Sequence, residues 1–362
     1  MAKIKNIELN NFRNFIHYDF TFEDKLNILF GDNGSGKTNI LEAISLITKG
    51  TGIRNAKISN LIKNKQENFL IKNNLDIKND NFNIKIYPEK KNNKFRKIIK
   101  LNDDASRESL EILNQSISFL TFIPEMERIF QSSPSNRRNF LDRLIYSSNN
   151  NYNKVINKYK KFIFERVKIL QNQNFDHDWL DFVENEISKV GLEIYQSRSF
   201  QLKKINENIK EMNKEKKFKF NVELKIKDDF FFPELTLEKY LLDLKNARLF
   251  DRQYLGTKIG PHRSDISAKI NNDYEASLLS TGQQKTVVLI TLLAQCSYLV
   301  NVKNKTPIIL FDEIGSHLDS FNREILLDMI NMFDIQFFLT GTEKSLFSFV
   351  STKAKFYNIT NL

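Results

Sequence analysis

Residues 26–48 read LNILFGDNGSGKTNILEAISLIT, and this stretch decides the fold. Leu26 to Phe30 is a short apolar run, as a buried strand requires. Ile40, Leu41, Ile44 and Ile47 then recur at helical steps of three and four, so a helix is predicted from about Thr38 to Thr48. The turn between them, Gly31-Asp32-Asn33-Gly34-Ser35-Gly36-Lys37-Thr38, matches a phosphate loop in both sequence and position. Its glycines allow backbone angles that a side chain forbids, so that N–H groups can point at phosphate oxygens beside the positive end of a helix. In that geometry Lys37 reaches the β and γ phosphates of ATP, and Thr38 gives an oxygen to Mg²⁺. A glycine-rich turn arising by chance would lack the flanking strand and helix. The loop alone does not choose among the many families of P-loop ATPase.

Upstream, apolar residues alternate through Ile4, Ile7 and Leu9 and again through Tyr18, Phe20 and Phe22, which predicts two further strands. Residues 68–101 hold the runs FLIKNNLDI, FNIKIYP and KFRKIIKL between Asn and Asp turns, as in an antiparallel meander beside the main sheet. From 150 to 214 the period becomes that of amphipathic helices, carried by Ile156, Tyr159, Ile163 and Val167, then Val183, Ile187, Val190 and Ile194, then Leu202, Ile205 and Ile209. A break at 171–178 folds these helices back as a hairpin or small lobe. The last third returns to α/β, with a helix after Ser280, a strand at Pro307 to Phe311, a helix around Phe321 to Met332 and a strand at Ile335 to Leu339. The expected divisions are one part of a head over 1–145, a helical insertion lobe over 146–250, and the second part of the head over 251–362.

Two more stretches carry chemistry. Ile308-Ile309-Leu310-Phe311-Asp312-Glu313 is an apolar strand ending in two carboxylates, with Asp312 placed to hold Mg²⁺ and Glu313 to activate water. Alone, such a strand end could simply cap a turn; paired with the phosphate loop, it reads as catalytic. Leu279-Ser280-Thr281-Gly282-Gln283-Gln284-Lys285 opens an apolar helix ahead of that strand. By itself this is a serine-capped helix start. In its position it closely resembles the signature motif of ATP-binding cassette ATPases. There, serine and glycine at a helix N-terminus contact the γ-phosphate held by a second copy. The resemblance makes Ser280, Gly282 and Gln283 candidate ATP contacts and implies an ATP-dependent homodimer.

Composition sets limits. Hydrophobic residues make up 41% and charged residues 27%, the ordinary range of a folded globular chain. No uninterrupted apolar run reaches the roughly 20 residues of a membrane span. The start, MAKIKNIELNNF, has no apolar signal segment, so a cytoplasmic protein without a membrane partner is expected. The single cysteine, Cys296, lies in an apolar run and reads as a small buried hydrophobe. No Cys or His cluster has zinc spacing, so no structural metal is expected. The formal net charge of +11 favours a polyanion such as DNA, although an AT-rich coding sequence would also enrich Lys, Asn, Ile and Phe. Lys85, Lys90, Lys91, Lys94, Arg96, Lys97 and Lys100 stand against Glu89 alone between 85 and 100. They form either a surface for the DNA backbone or a lysine-guarded strand edge. The run from Lys203 to Lys219 has the same two readings.

Within the cassette superfamily the chain resembles the RecF recombination-repair family, relatives of the SMC heads. The resemblance rests on Asn11-Phe12-Arg13-Asn14-Phe15, on GKTNILEAI from Gly36, on Phe122-Ile123-Pro124-Glu125 with SPSNRRNFLD from Ser133, on GPHRSD from Gly260, and on Thr340-Gly341-Thr342. It covers roughly 3–145 and 250–342. It implies an α/β fold, an ABC/SMC-like P-loop ATPase head with an antiparallel β side sheet and a helical insertion lobe. It makes Arg13 a second candidate phosphate contact, the 122–142 segment a sensor loop, and the loop Gly315 to Asp319 a neighbour of the partner's nucleotide. It further implies ATP-gated binding of duplex, gapped or single-strand/double-strand junction DNA in replication and recombinational repair. Slow hydrolysis would act as the switch, with RecR-type and RecO-type mediator proteins as partners. Two residues depart from the pattern: Ser264 stands where an acidic residue is expected, and His317 where Glu is usual. His262 and His317 read as interface or loop residues. The alternatives are another SMC-like DNA clamp or, from the shared cassette motifs alone, a transporter-energising ATPase. Thr340 to Thr342, where many transporters have histidine, and the long central insertion weigh against the transporter.

Overall fold

A computed structural model describes residues 2–23, 25–77, 80–172, 174, 176–214, 221–271, 274–314, 318–350 and 354–359. The chain begins with β1 (Ala2–Phe12), β2 (Phe15–Thr21), β3 (Leu26–Phe30) and α1 (Lys37–Ser45). It continues through β4 (Leu70–Ile77), β5 (Asp80–Lys91), β6 (Lys94–Leu101), α2 (Arg107–Ser116) and β7 (Ser118–Phe122). The middle holds α3 (Pro134–Ser148), α4 (Tyr152–Gln171), α5 (His177–Lys214), β8 (Val222–Lys227), α6 (Leu237–Asn246), α7 (Arg248–Tyr254), β9 (Asp265–Ile270) and β10 (Tyr274–Glu275). Last come α8 (Thr281–Ser297), β11 (Pro307–Phe311), α9 (Ser320–Met332), β12 (Phe337–Gly341) and β13 (Ala354–Asn358).

Two compact units result, Met1–Glu127 with Val288–Leu362, and Arg128–Val287. The first contains a five-stranded parallel sheet in the order β13-β3-β12-β11-β7 and a five-stranded antiparallel sheet in the order β2-β1-β4-β5-β6. Helix α1 is buried over most of its length because it lies between them, and its buried residues include the polar Lys37, Glu42 and Ser45. Its Ile40, Leu41 and Ile44 share one core cluster with Ile7, Leu9, Ile71 and Ile84 of the antiparallel sheet and with Leu29, Ile308, Leu310 and Phe338 of the parallel sheet. Gln336, buried just before β12, ties β1 to this core. Its amide donates to Ile4 O at 2.8 Å and Glu23 O at 2.9 Å, and its oxygen accepts from Ile4 N at 2.8 Å. The strand expected at 335–339 sits two residues later, although Gln336 O already accepts from Ile309 N of β11 at 2.9 Å.

The second unit is the helical lobe. The antiparallel pair α4 and α5 breaks where the sequence predicts, and α3, α6 and α7 join it. Its centre is ionic: Arg166, fully buried, donates to Glu184 Oε1 at 2.9 Å, Asp251 Oδ2 at 2.6 Å, Thr257 Oγ1 at 3.0 Å and Leu244 O at 2.8 Å. Such a charge is tolerated only with its hydrogen bonds filled. Beside the helices lies a three-stranded sheet, β10-β9-β8, that the periodicity did not announce.

The expected divisions therefore move. A boundary at 145/146 cuts α3 and one at 250/251 cuts α7. Residues 251–287 fold with the lobe because β9 pairs along its length with β8. Among the described residues one helix, Thr281–Val302, is long and apolar enough to cross a membrane, but 83% of its most apolar window is buried inside the fold. Cys296 is among its buried residues.

Candidate functional site

Three neighbouring strands of the parallel sheet, β3, β12 and β11, deliver their C-terminal ends to one place, where open α/β sheets put their chemistry. The phosphate loop follows β3. Gly31, Gly34 and Gly36 have φ of 146°, 84° and 112°. At Gly36 a Cβ would come within 2.7 Å of Asn14 Nδ2 and 2.8 Å of the Phe15 ring, so only glycine fits. Lys37 Nζ donates to Gly31 O and Asp32 O, both at 2.8 Å, which curls the loop over its own lysine. Burial lowers the Lys37 pKa, opposed by Glu313, Asp312 and Asp32. Ser35 Oγ is buried in the loop without a hydrogen-bond partner, an orphan that a bound anion's surroundings would satisfy.

Asp312 follows β11. Its Oδ1 accepts from Thr38 Oγ1 at 2.9 Å and from Thr340 Oγ1, on β12, at 2.8 Å. Burial raises the Asp312 pKa, while the Thr340 and Thr38 hydroxyls and the charge of Arg54 pull it back. The Thr38 and Asp312 oxygens are a hard-donor pair that fits Mg²⁺. Glu313 stands next in the chain with φ 51°, an uncommon left-handed conformation for a non-glycine residue, held because its N–H donates to Thr340 Oγ1 at 2.7 Å. Thr340 thus fixes both carboxylate residues at once. Lys37, Thr38, Asp312 and Glu313 are brought together in the first unit.

Arg13, expected at the phosphates, forks onto the fully buried Glu42 of α1 with two bonds of 2.8 Å and donates to Asn60 O at 2.9 Å. In this conformation it braces α1. The neighbouring Asn14 supports the loop: its Nδ2 donates to Ser35 O at 3.0 Å and its Oδ1 accepts from Asn39 at 2.8 Å, while Arg54 donates to Asn39 Oδ1 at 3.1 Å. Sequence reading overlooked Arg54, which no periodicity or motif marks.

The signature residues lie in the second unit. Ser280 Oγ accepts from Gln283 N at 3.3 Å and Gln283 Oε1 accepts from Ser280 N at 3.1 Å, a reciprocal capping box at the start of α8. Both side chains are exposed, and Thr286 Oγ1 donates to Gly282 O at 3.1 Å.

Other expectations resolve differently. The stretch from Ser133 to Asp142, taken for part of a sensor loop, is helix α3, with Ser133 as cap and Pro134 in its first turn. The other part, after β7, stays beside the site: Asp312 N donates to Phe122 O at 2.8 Å, and Glu125 contributes to raising the Asp312 pKa. His262 lies in the turn between α7 and β9, half-buried. Its ring lies 2.8 Å from both Tyr159 OH and Thr257 O, and burial pushes its pKa down to about 4. The Ser264 departure has a local account: Ser264 Oγ accepts from Arg198 at 3.0 Å, and Asp142 supplies the carboxylate for that arginine with two bonds of 2.9 Å. Gly315, Ser316 and His317 lie outside the described residues, and Asp319 caps α9 through Asn322 N at 2.7 Å.

Of the seven basic residues between 85 and 100, Lys97 is not a surface group. It shares a face of β6 with Ile99 and Leu101 and donates to Leu46 O at 2.9 Å and Thr48 O at 2.6 Å, just past the end of α1. Lys85 pairs with Asp103 at 2.6 Å. Lys91, Lys94 and Arg96 are exposed. In the second run Lys204 pairs with Glu207 at 2.7 Å, and Lys216, Lys217 and Lys219 lie outside the described residues.

Known proteins share this fold. The model of the RecF/RecN/SMC N terminal domain matches residues 3–361. A DNA replication and repair protein RecF of Rickettsia typhi is 31% identical over 342 residues, 94% of each chain. That of Rickettsia prowazekii is 30% identical over 343 residues, again 94% of each. The solved structure of the recombination mediator protein RecF-ATPrS in the RecFOR pathway superposes with a TM-score of 0.84 at 26% identity, over 99% of this chain and 96% of that one. An Smc head domain from Pyrococcus furiosus, bound to the C-terminal domain of ScpA, matches at TM-score 0.54 and 18% identity over 96% and 92%, a likeness of fold. With its family model spanning nearly the whole chain and relatives 30% and 31% identical over 94% of each chain, this chain belongs to the RecF family.

Proposed function

We propose that the chain is an ATP-gated DNA-binding head acting in DNA replication and recombinational repair. The observation that carries the reading is the cluster in which Thr38 and Thr340 hydroxyls converge on Asp312 beside Lys37 and Glu313. ATP binds with its phosphates on the Gly31–Thr38 backbone, and Lys37 releases its hold on Gly31 O and Asp32 O to meet them. Thr38 and Asp312 would hold Mg²⁺, which would supply positive charge against the phosphates. Glu313 orients and deprotonates the attacking water. Ser280 and Gly282 of a second copy close over the γ-phosphate, making ATP the link of a homodimer. Lys91, Lys94 and Arg96 grip the DNA backbone without reading its bases. RecR-type and RecO-type proteins are the proposed partners, in keeping with the RecFOR pathway in which the solved relatives stand.

Two variants test this reading together. Lys37→Met is expected to lose ATP binding and ATP-dependent DNA retention. Ser280→Arg keeps ATP binding but loses dimerisation and DNA retention. ATP-dependent dimerisation of Ser280→Arg would contradict it.

A further inference from the structure

Beyond the nucleotide site, the first unit holds a second polar cavity of about 630 Å³, formed by residues 59–68 and the β5–β6 hairpin. Its size is that of a small-molecule pocket. Lys63, Lys65 and Lys90 line it against one carboxylate, Glu67, and Pro88 and Phe95 give it an apolar side. Lys90 Nζ stands 6.0 Å from the centroid of the Phe95 ring, so cation and aromatic face are within reach of a single ligand. Among the described residues neither Lys65 nor Lys90 makes an ion pair. Asn64, Gln66 and Asn68 add amides able to donate and accept.

An anion joined to a flat ring with a hydrogen-bonding edge satisfies all three features. We propose that this cavity takes one unstacked nucleotide, its phosphate on Lys65 and Lys90 and its base against Phe95. A base inside a duplex cannot offer its face, so the occupant is a nucleotide of a single-stranded segment, or a free mononucleotide. The wall of the cavity is fastened to the support of the phosphate loop. Lys63 Nζ donates to Asn14 O at 2.6 Å, Lys63 N to Asn11 O at 2.8 Å, and Arg13 N to Leu61 O at 2.8 Å.

The strand source rests on the DNA-binding reading, and the test separates the two. Full-length chain with ATP and Mg²⁺ is titrated against a blunt duplex, the same duplex with a single-stranded tail ending in 2-aminopurine, and 2-aminopurine mononucleotide. Phe95→Leu, which keeps an apolar side chain but removes the stacking face, and Lys65→Gln are compared with the unmodified chain. The expected result is about tenfold weaker binding of the tailed probe by Phe95→Leu, with quenching of its terminal base lost and blunt-duplex binding unchanged. Saturable quenching of the mononucleotide with the same sensitivity to Phe95→Leu and Lys65→Gln supports the site and assigns it to free nucleotides. If no duplex binds the unmodified chain, the DNA reading fails while the mononucleotide arm still reads the cavity. Wild-type affinity and quenching in both variants would overturn the proposal.

Discussion

Asp312 is a buried carboxylate kept usable by its neighbours. Burial raises its pKa, and the Thr340 and Thr38 hydroxyls, which donate to Oδ1 at 2.8 and 2.9 Å, favour the charged form. Only the carboxylate holds Mg²⁺ well. Thr340→Val removes one of these donors, so the Asp312 pKa rises further and the acid-side fall of ATP turnover moves to higher pH. A pH–rate profile measured against the unmodified chain checks this, and an unmoved acid limb would disconnect Thr340 from the chemistry. The same substitution releases the N–H of Glu313 from its 2.7 Å bond, so turnover at the optimum also falls. At this scale the sequence was readable where a motif fixes backbone and side chain together. The loop from Gly31 to Thr38 and the Asp312–Glu313 pair both stand where their spacing demands. Arg54 was not legible, because its approach to Asn39 depends on how residues 50–56 turn, and no local pattern encodes that. Arg13 was legible as special but not in its partner, since Glu42 lies 29 residues away.

Helix α1 is held in its C-terminal half and just beyond it by side chains from elsewhere: Arg13 on Glu42, and Lys97 on Leu46 O and Thr48 O. Burial drives the Lys97 pKa down from 10.5 to about 7. A lysine whose folded pKa is depressed carries its full penalty below about pH 7, where it is protonated in both states, and the penalty fades as pH rises toward 10.5. The unmodified chain should therefore gain stability relative to Lys97→Met between those limits, by up to about 1.4 kcal/mol per pH unit. Denaturant unfolding at several pH values checks it; parallel curves for the two chains would refute the buried ammonium. Period-two reading of KFRKIIKL already places Lys97 with Ile99 and Leu101, so this signal was available. The lobe's sheet was harder to read. β8 and β9 pair across 37 residues of intervening chain between Lys227 and Asp265, and their short alternations mean little without that partner. The helix α3 was masked by a family resemblance that drew attention to function, although its Ser-Pro start is an ordinary helix signal.

For the molecule as a whole, the fold class was legible because one strand–loop–helix and one strand–carboxylate segment bound the architecture. The unit boundaries were not. Periodicity becomes helical over 150–214, but the chain divides into its two units at 127/128 and 287/288. The phosphate loop and the exposed Ser280–Gln283 cap belong to different units, and α8 carries the chain from one to the other. Function on this account needs a second copy, and hydrolysis ends the state that ATP begins. The most direct test is the solution mass of Glu313→Gln, which binds ATP but cannot activate water, with and without ATP and Mg²⁺ in the presence of a gapped duplex at stated salt. The account predicts a doubling of protein mass that depends on ATP and retains the DNA. A mass that stays that of one chain at saturating ATP would contradict it.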